Sequence, residues 1–315
     1  MTTVDAPHSL PNLPTSTGGA IASRPYPSFG RLLRDYFILT KPSIMLLLLV
    51  TTAPAMVLAE RGWPGWGPVL ATLLGGVFAA GGAGALNMYI DRDIDGLMRR
   101  TRNRPIPSGR VPERHVLIFG LAMGLASGPW LWLTMNGTSA LLAVGAFFFY
   151  VVPYSMYLKR RTVHNTVVGG VAGALPPLIG WAAITDSVTI EGLLLWAIVF
   201  FWQPPHFWAL AIRLEPDYRN ARIPMMPVVL GEHETRRQTL LYAVATVMLT
   251  LIFGAVAELA WIYFAAAVVG GVAFIAASLK MYRGRGLEGT KAMFRTSTLY
   301  LAALFFAMVG DTLIL

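Results

Sequence analysis

Asn87, Asp91 and Asp95 in the stretch NMYIDRDID step by four residues. On a continuing helix they drift only about 40° per step and share one face. Successive carboxylates would then stand about 6 Å apart along the axis, a separation that one or two hydrated Mg²⁺ ions can bridge. Asp93 falls off that face and reads as solvated. Directly downstream, MRRTRNRP (98–105) supplies Arg99, Arg100, Arg102 and Arg104. Arginines beside a carboxylate row suit a polyanion held together with divalent cations, because guanidinium grips phosphate oxygens in pairs. The plainer alternatives are a polar helix end for the acids and a topogenic or lipid-headgroup patch for the arginines.

A second polar stretch, RLEPDYRNARIPMMP (213–227), carries Glu215 and Asp217. Two such clusters facing one cavity would form a metal clamp for a diphosphate. His206 lies just upstream, after Pro204-Pro205 in a run that is otherwise apolar and aromatic. The proline pair frees carbonyls and predicts a kinked helix there.

The elements that must position these residues follow from composition. Of 315 residues 55% are apolar and 13% charged, against about 25% charged in a soluble domain. The mean hydropathy of +0.58 marks a polytopic, all-α membrane protein. With no Cys in the chain, a disulfide scaffold and cysteine-ligated metal centres are excluded. Apolar runs long enough for about 30 Å of hydrocarbon predict nine spans: 36–59, 68–90, 115–135, 139–158, 165–184, 190–212, 236–257, 260–280 and 291–311.

The net charge of +9 does not point to nucleic acid, because of where it sits. All Lys and Arg except Arg61 fall on one side of this span pattern. By the positive-inside rule that side, with the amino terminus, is cytoplasmic. Both acidic clusters lie on it, which disfavours a transporter needing access from both faces. Residues 1–30, rich in Pro, Ser, Thr and Gly and without a signal-peptide core, read as a flexible cytoplasmic tail, leaving 31–315 as one domain. Spans two and six each precede an acidic cluster, so the domain reads as two four-helix blocks plus a ninth helix. Pro176-Pro177, Gly169-Gly170 and Gly173 read as bending and close-approach positions. Phe147–Tyr150, Trp196, Trp202 and Trp208 read as lipid-facing or core aromatics.

Asn87-x3-Asp91-x3-Asp95 resembles the first aspartate motif of the UbiA superfamily of intramembrane prenyltransferases. Within that superfamily, residues 87–109 (NMYIDRDIDGLMRRTRNRPIPSG), 158–181 (LKRRTVHNTVVGGVAGALPPLIGW) and 201–231 (FWQPPHFWALAIRLEPDYRNARIPMMPVVLG) are similar to the protohaem IX farnesyltransferase branch. The resemblance runs from about residue 39 to the carboxyl terminus. It departs in three places. The superfamily commonly has a second aspartate pair, but Arg213 and Ala221 flank Asp217 at four residues. That branch usually departs in the same way. Arg222 stands where Gly is usual, and Val163-His164 stand where Pro-Gln is usual.

The resemblance implies nine helices around a central cavity and transfer of a farnesyl group from farnesyl diphosphate to a vinyl group of haem B, giving haem O. It implies Mg²⁺ held by Asn87, Asp91, Asp95 and Asp217, and diphosphate oxygens held by Arg100, Arg104, Lys159 and Arg161. It implies that no side chain acts as a covalent nucleophile. An iron-porphyrin substrate makes His206 a candidate axial ligand or propionate contact, and His164 and His233 candidate propionate contacts. It also implies residence in the bacterial inner membrane and passage of the product to haem A synthase or terminal oxidase assembly. Two other classes stay open: a UbiA-type enzyme acting on a quinone precursor or chlorophyll, and a non-enzymatic transporter or haem-binding scaffold.

Overall fold

The structure, a computed structural model, describes residues 29–314. The predicted tail therefore lies outside the described residues, except that its last two positions already belong to α1 (Phe29–Leu39). No strand occurs among the described residues. After α1 come α2 (Pro42–Glu60), α3 (Trp66–Ile90), the single turn α4 (Arg92–Asp95), α5 (Glu113–Thr134) and α6 (Gly137–Phe149). The last runs through a π-helical stretch, Tyr150–Leu158, into α7 (Lys159–Arg161). Then follow α8 (Asn165–Gly173), α9 (Leu175–Thr185), α10 (Ile190–Arg213), α11 (Glu215–Asn220), α12 (Met226–Val229), α13 (Gly231–Val256), α14 (Trp261–Arg283) and α15 (Thr290–Ile314).

Among the described residues eight helical segments are long and apolar enough to cross a bilayer, against the nine predicted. They match the second to ninth expected spans. The first expected span, 36–59, is not one helix. It breaks at Lys41, whose φ of 55° is left-handed, and α2 restarts at Pro42. Proline disfavours the right-handed helical region for the residue before it, and the chain breaks here, leaving α2 as a 19-residue helix of its own. The fifth span also divides, at Ala174 between α8 and α9, just ahead of Pro176-Pro177. In contrast, α10 is helical throughout Ile190–Arg213 despite Pro204 and Pro205.

The helices pack in a ring. α3 lies against α5, α5 against α6, α6 against α8 and α9, and α9 against α10. The series continues through α13 and α14 to α15, which returns to α2. The α3–α5 contact is close because glycine leaves room: a Cβ on Gly82 would stand 2.5 Å from the Gly124 amide nitrogen. Bilayer helices associate by such backbone approach, since lipid offers no hydrophobic driving force between them. The ends near Ala55, Leu58, Trp181, Leu195, Phe253, Tyr263 and Leu304 share one apolar core. The opposite ends carry the polar residues.

Candidate active site

Asn87 closes the last turn of α3, and α4 continues the chain, so the four-residue steps bring Asn87, Asp91 and Asp95 to the same buried place. Asp91 and Asp95 have no exposed surface and Asn87 has 3%. Charges this deep are costly unless paired, and each has its cation. Lys159 donates to Asp91 Oδ2. Arg104 reaches back from the arginine stretch to both oxygens of Asp95, at 2.8 and 2.7 Å. Asn87 Nδ2 donates to Asp91 Oδ2 at 2.9 Å and to Ser155 Oγ at 3.1 Å, while its Oδ1 accepts from Lys41 Nζ at 2.6 Å. Lys41 Nζ also stands 3.5 Å from the Tyr150 hydroxyl. Asp91 Oδ1 is buried with no hydrogen-bond partner.

Asp93 faces outward as expected, with 58% of its side chain exposed, and pairs with Arg160 at 2.7 Å. That hydrogen bond holds the Asp93 carboxyl below the usual carboxylate range.

The second acidic stretch packs against the first. Ile94 and Met98 share a buried cluster with Trp208, Tyr218, Ala221, Ile223 and Met225. Arg100 is exposed, and the Tyr218 phenol in that cluster is pushed up by burial. Tyr154 stands beside Tyr150 on the π-helical stretch, 5.2 Å between ring centroids. Asp217 is half-buried and makes no hydrogen bond or ion pair among the described residues. Glu215 is engaged by Arg219 within α11.

Not every residue expected at the site is there. Arg161 lies over the Tyr157 ring, 5.3 Å from its centroid, and its neighbour Arg160 faces Asp93 and Asp91 instead. His206 is boxed in by aromatic rings, 4.5 Å from Trp202 and 4.3 Å from Phe294 between centroids. Its Nδ1 lies 2.8 Å from Ser297 Oγ on α15. His164 and His233 are exposed, the first before α8 and the second beside Tyr282.

Sequence reasoning missed Lys41, Tyr150, Tyr154, Ser155 and Arg160. Tyr150, Tyr154 and Ser155 lie on the π-helical stretch, where Pro153 removes a backbone donor and the helix widens. Tyr154 also depends on Gly169, whose Cβ would stand 2.4 Å from its ring. The sequence signals were Pro153 within an aromatic run and a lone lysine before Pro42.

A ring of apolar helices thus surrounds a buried carboxylate row whose charges are matched by cations of the chain itself. The UbiA prenyltransferase family matches residues 48–307. The chain belongs to that family. Its relatives include a protoheme IX farnesyltransferase of Roseiflexus castenholzii, 48% identical over 89% of this chain and 52% of that protein. A protoheme IX farnesyltransferase of Pseudarthrobacter chlorophenolicus is 46% identical over 90% of this chain and 91% of that protein. The chain thus spans about half the length of the first of these and most of the second. A UbiA homologue from Archaeoglobus fulgidus, solved with GPP and Mg²⁺, shares the fold with a TM-score of 0.64 at 19% identity, over 88% of this chain and 99% of that one.

Proposed function

We propose that this chain transfers the farnesyl group of farnesyl diphosphate to a vinyl group of haem B, giving haem O. The supporting observation is the buried Asn87–Asp91–Asp95 row with Lys159 and Arg104 folded onto it. It occurs in a chain 46% identical to nearly the whole of a protoheme IX farnesyltransferase.

The oxygen donors fit Mg²⁺. It takes one or two carboxylates, keeps water on its other positions and prefers hard oxygen ligands. Asp91 and Asp95 would supply two carboxylates and Asn87 an amide, and Asp91 Oδ1 makes no hydrogen bond, with Arg160 3.7 Å away. Asp217 would serve from the second cluster. Asp91, Asp95 and Asp217 do not converge as one group of three among the described residues. When bound, Mg²⁺ neutralises the diphosphate and makes it a better leaving group.

The chain's own groups do the rest. Arg104, Lys159 and Lys41 converge from three elements and would take diphosphate oxygens as charge gathers there during cleavage of the C1–O bond. Arg100 would act from the second cluster. Tyr150 and Tyr154, 5.2 Å apart between ring centroids, would offer aromatic faces that stabilise a neighbouring allylic cation electrostatically. Burial keeps bulk water from that cation until the vinyl π electrons form the new carbon–carbon bond. Water then adds to the resulting cation and loses a proton, leaving the hydroxyethylfarnesyl group. His206, packed by Trp202, Phe294 and Ser297, would serve the α10–α15 contact, and exposed His164 and His233 would meet the propionates.

The reaction is tested by pyridine-haemochrome spectra and chromatography of membranes expressing the chain. Accumulation of haem O is expected. A prenylated aromatic would select the quinone-precursor reading, and no prenylated product would overturn enzymatic function. The proposed cytoplasmic orientation of the site is checked with reporters: a fusion after Gly231 reads cytoplasmic and one after Asp186 reads external. A swapped result would place the site on the other side.

A further inference from the structure

α1 has two faces of opposite character. On the inner face Asp35, 5% exposed, accepts from Arg110 Nε at 2.9 and 3.1 Å. Leu39 is fully buried with Ala85, Met88, Ile106, Val111 and Val116, and Tyr36 meets Phe119 edge-on at 5.0 Å. On the outer face Phe29, Leu33 and Phe37, four residues apart, are 75%, 56% and 57% exposed. Arg31 and Arg34 are exposed beside them. Since Arg110 neutralises Asp35, the outer face carries only positive charge.

Position fixes what such a face meets. Ala85 and Met88 belong to the last turns of α3, and Val116 to the first turn of α5. α1 therefore lies where the spanning helices end, and the left-handed break at Lys41 separates it from α2. A helix at that level with large apolar residues on one stripe and arginines along its edge matches the pattern that lies in the plane of a bilayer interface. A second copy is a poorer partner. A two-fold contact would set Arg31 and Arg34 of one chain against the same residues of the other, whereas anionic lipid supplies both acyl chains and negative charge.

We infer that α1 is a membrane-surface helix: Phe29, Leu33 and Phe37 enter the acyl boundary, and Arg31 and Arg34 take anionic phospholipid headgroups. The inference goes beyond the proposed reaction and does not depend on it.

The absence of Cys from the chain makes Leu33→Cys a single labelling site for an environment-sensitive fluorophore. The full chain is placed in phosphatidylcholine vesicles with and without phosphatidylglycerol, each containing spin-labelled lipid. Quenching at position 33 should be at least about twofold stronger from shallow than from deep spin labels. Leu125→Cys, exposed at mid-span on α5, should show the reverse order. Spin-labelled phosphatidylglycerol should quench position 33 about twofold more than spin-labelled phosphatidylcholine. Arg31→Gln/Arg34→Gln should remove that difference while leaving the depth order intact. No quenching from any depth would overturn the inference, as would a disulfide between Leu33→Cys of two copies. Equal quenching by the two lipids would overturn the headgroup assignment.

Discussion

Asp91 and Asp95 have no exposed surface and each is matched to a cation of its own. Asp217 lies half-buried in α11 with neither ion pair nor hydrogen bond among the described residues. The two acidic clusters occupy corresponding places, after the second long helix of each half, yet they carry different burdens. The first holds charge inside the bundle, where removing one partner leaves an uncompensated ion costing about 3–5 kcal/mol. The second touches water and is free of such obligations. Stability and activity should therefore separate at Asp217 and travel together at Asp91.

The largest effect tests that coupling. Asp91→Ala or Asp95→Ala should reduce turnover by more than about a hundredfold, the scale for losing a stabiliser of leaving-group charge. Either should also lower thermal stability, because Lys159 or Arg104 is left unpaired. Asp91→Asn combined with Lys159→Met removes both buried charges and should restore stability without restoring turnover. Recovery of turnover in that double variant would sink the catalytic role of the pair.

Asp217→Asn comes next. It removes charge at nearly constant size, so turnover should fall about tenfold to a hundredfold and be partly restored by added Mg²⁺, with melting unchanged. Glu215→Gln should cost only a few-fold, because Glu215 is already committed to Arg219. Kinetics of both variants across a Mg²⁺ series decide between them. If Glu215→Gln is the more damaging, the second cluster acts through Glu215.

The smallest effect concerns His206, which lies on the same helix that leads to Asp217. His206→Gln should lose about 1 kcal/mol through the Ser297 hydrogen bond and its ring stacking. The haem absorption spectrum of the substrate complex should not move. A shifted Soret band would make His206 an iron ligand and bring haem to the α10–α15 contact.

The membrane class, the helical architecture, most span boundaries and the identity of the first acidic row were legible in the sequence. Hydropathy over some twenty residues and a four-residue step are local properties, and helix geometry converts them directly into position. Arg104 was legible for the same reason, lying within nine residues of Asp95. What lies farther along the chain was not. That Lys41 and Ser155 reach Asn87, and that Arg160 rather than Arg161 turns toward the acids, depend on how helices distant in sequence meet. The break before Pro42 aims Lys41 inward, and the widened turn at Pro153 with the space above Gly169 admits Tyr154. His206 shows the converse. Its type and its proline neighbours suggest chemistry, but Trp202, Phe294 and Ser297 close around it. A side chain's type sets what it is able to do, whereas the packed neighbours of a dense interior decide what it is free to do.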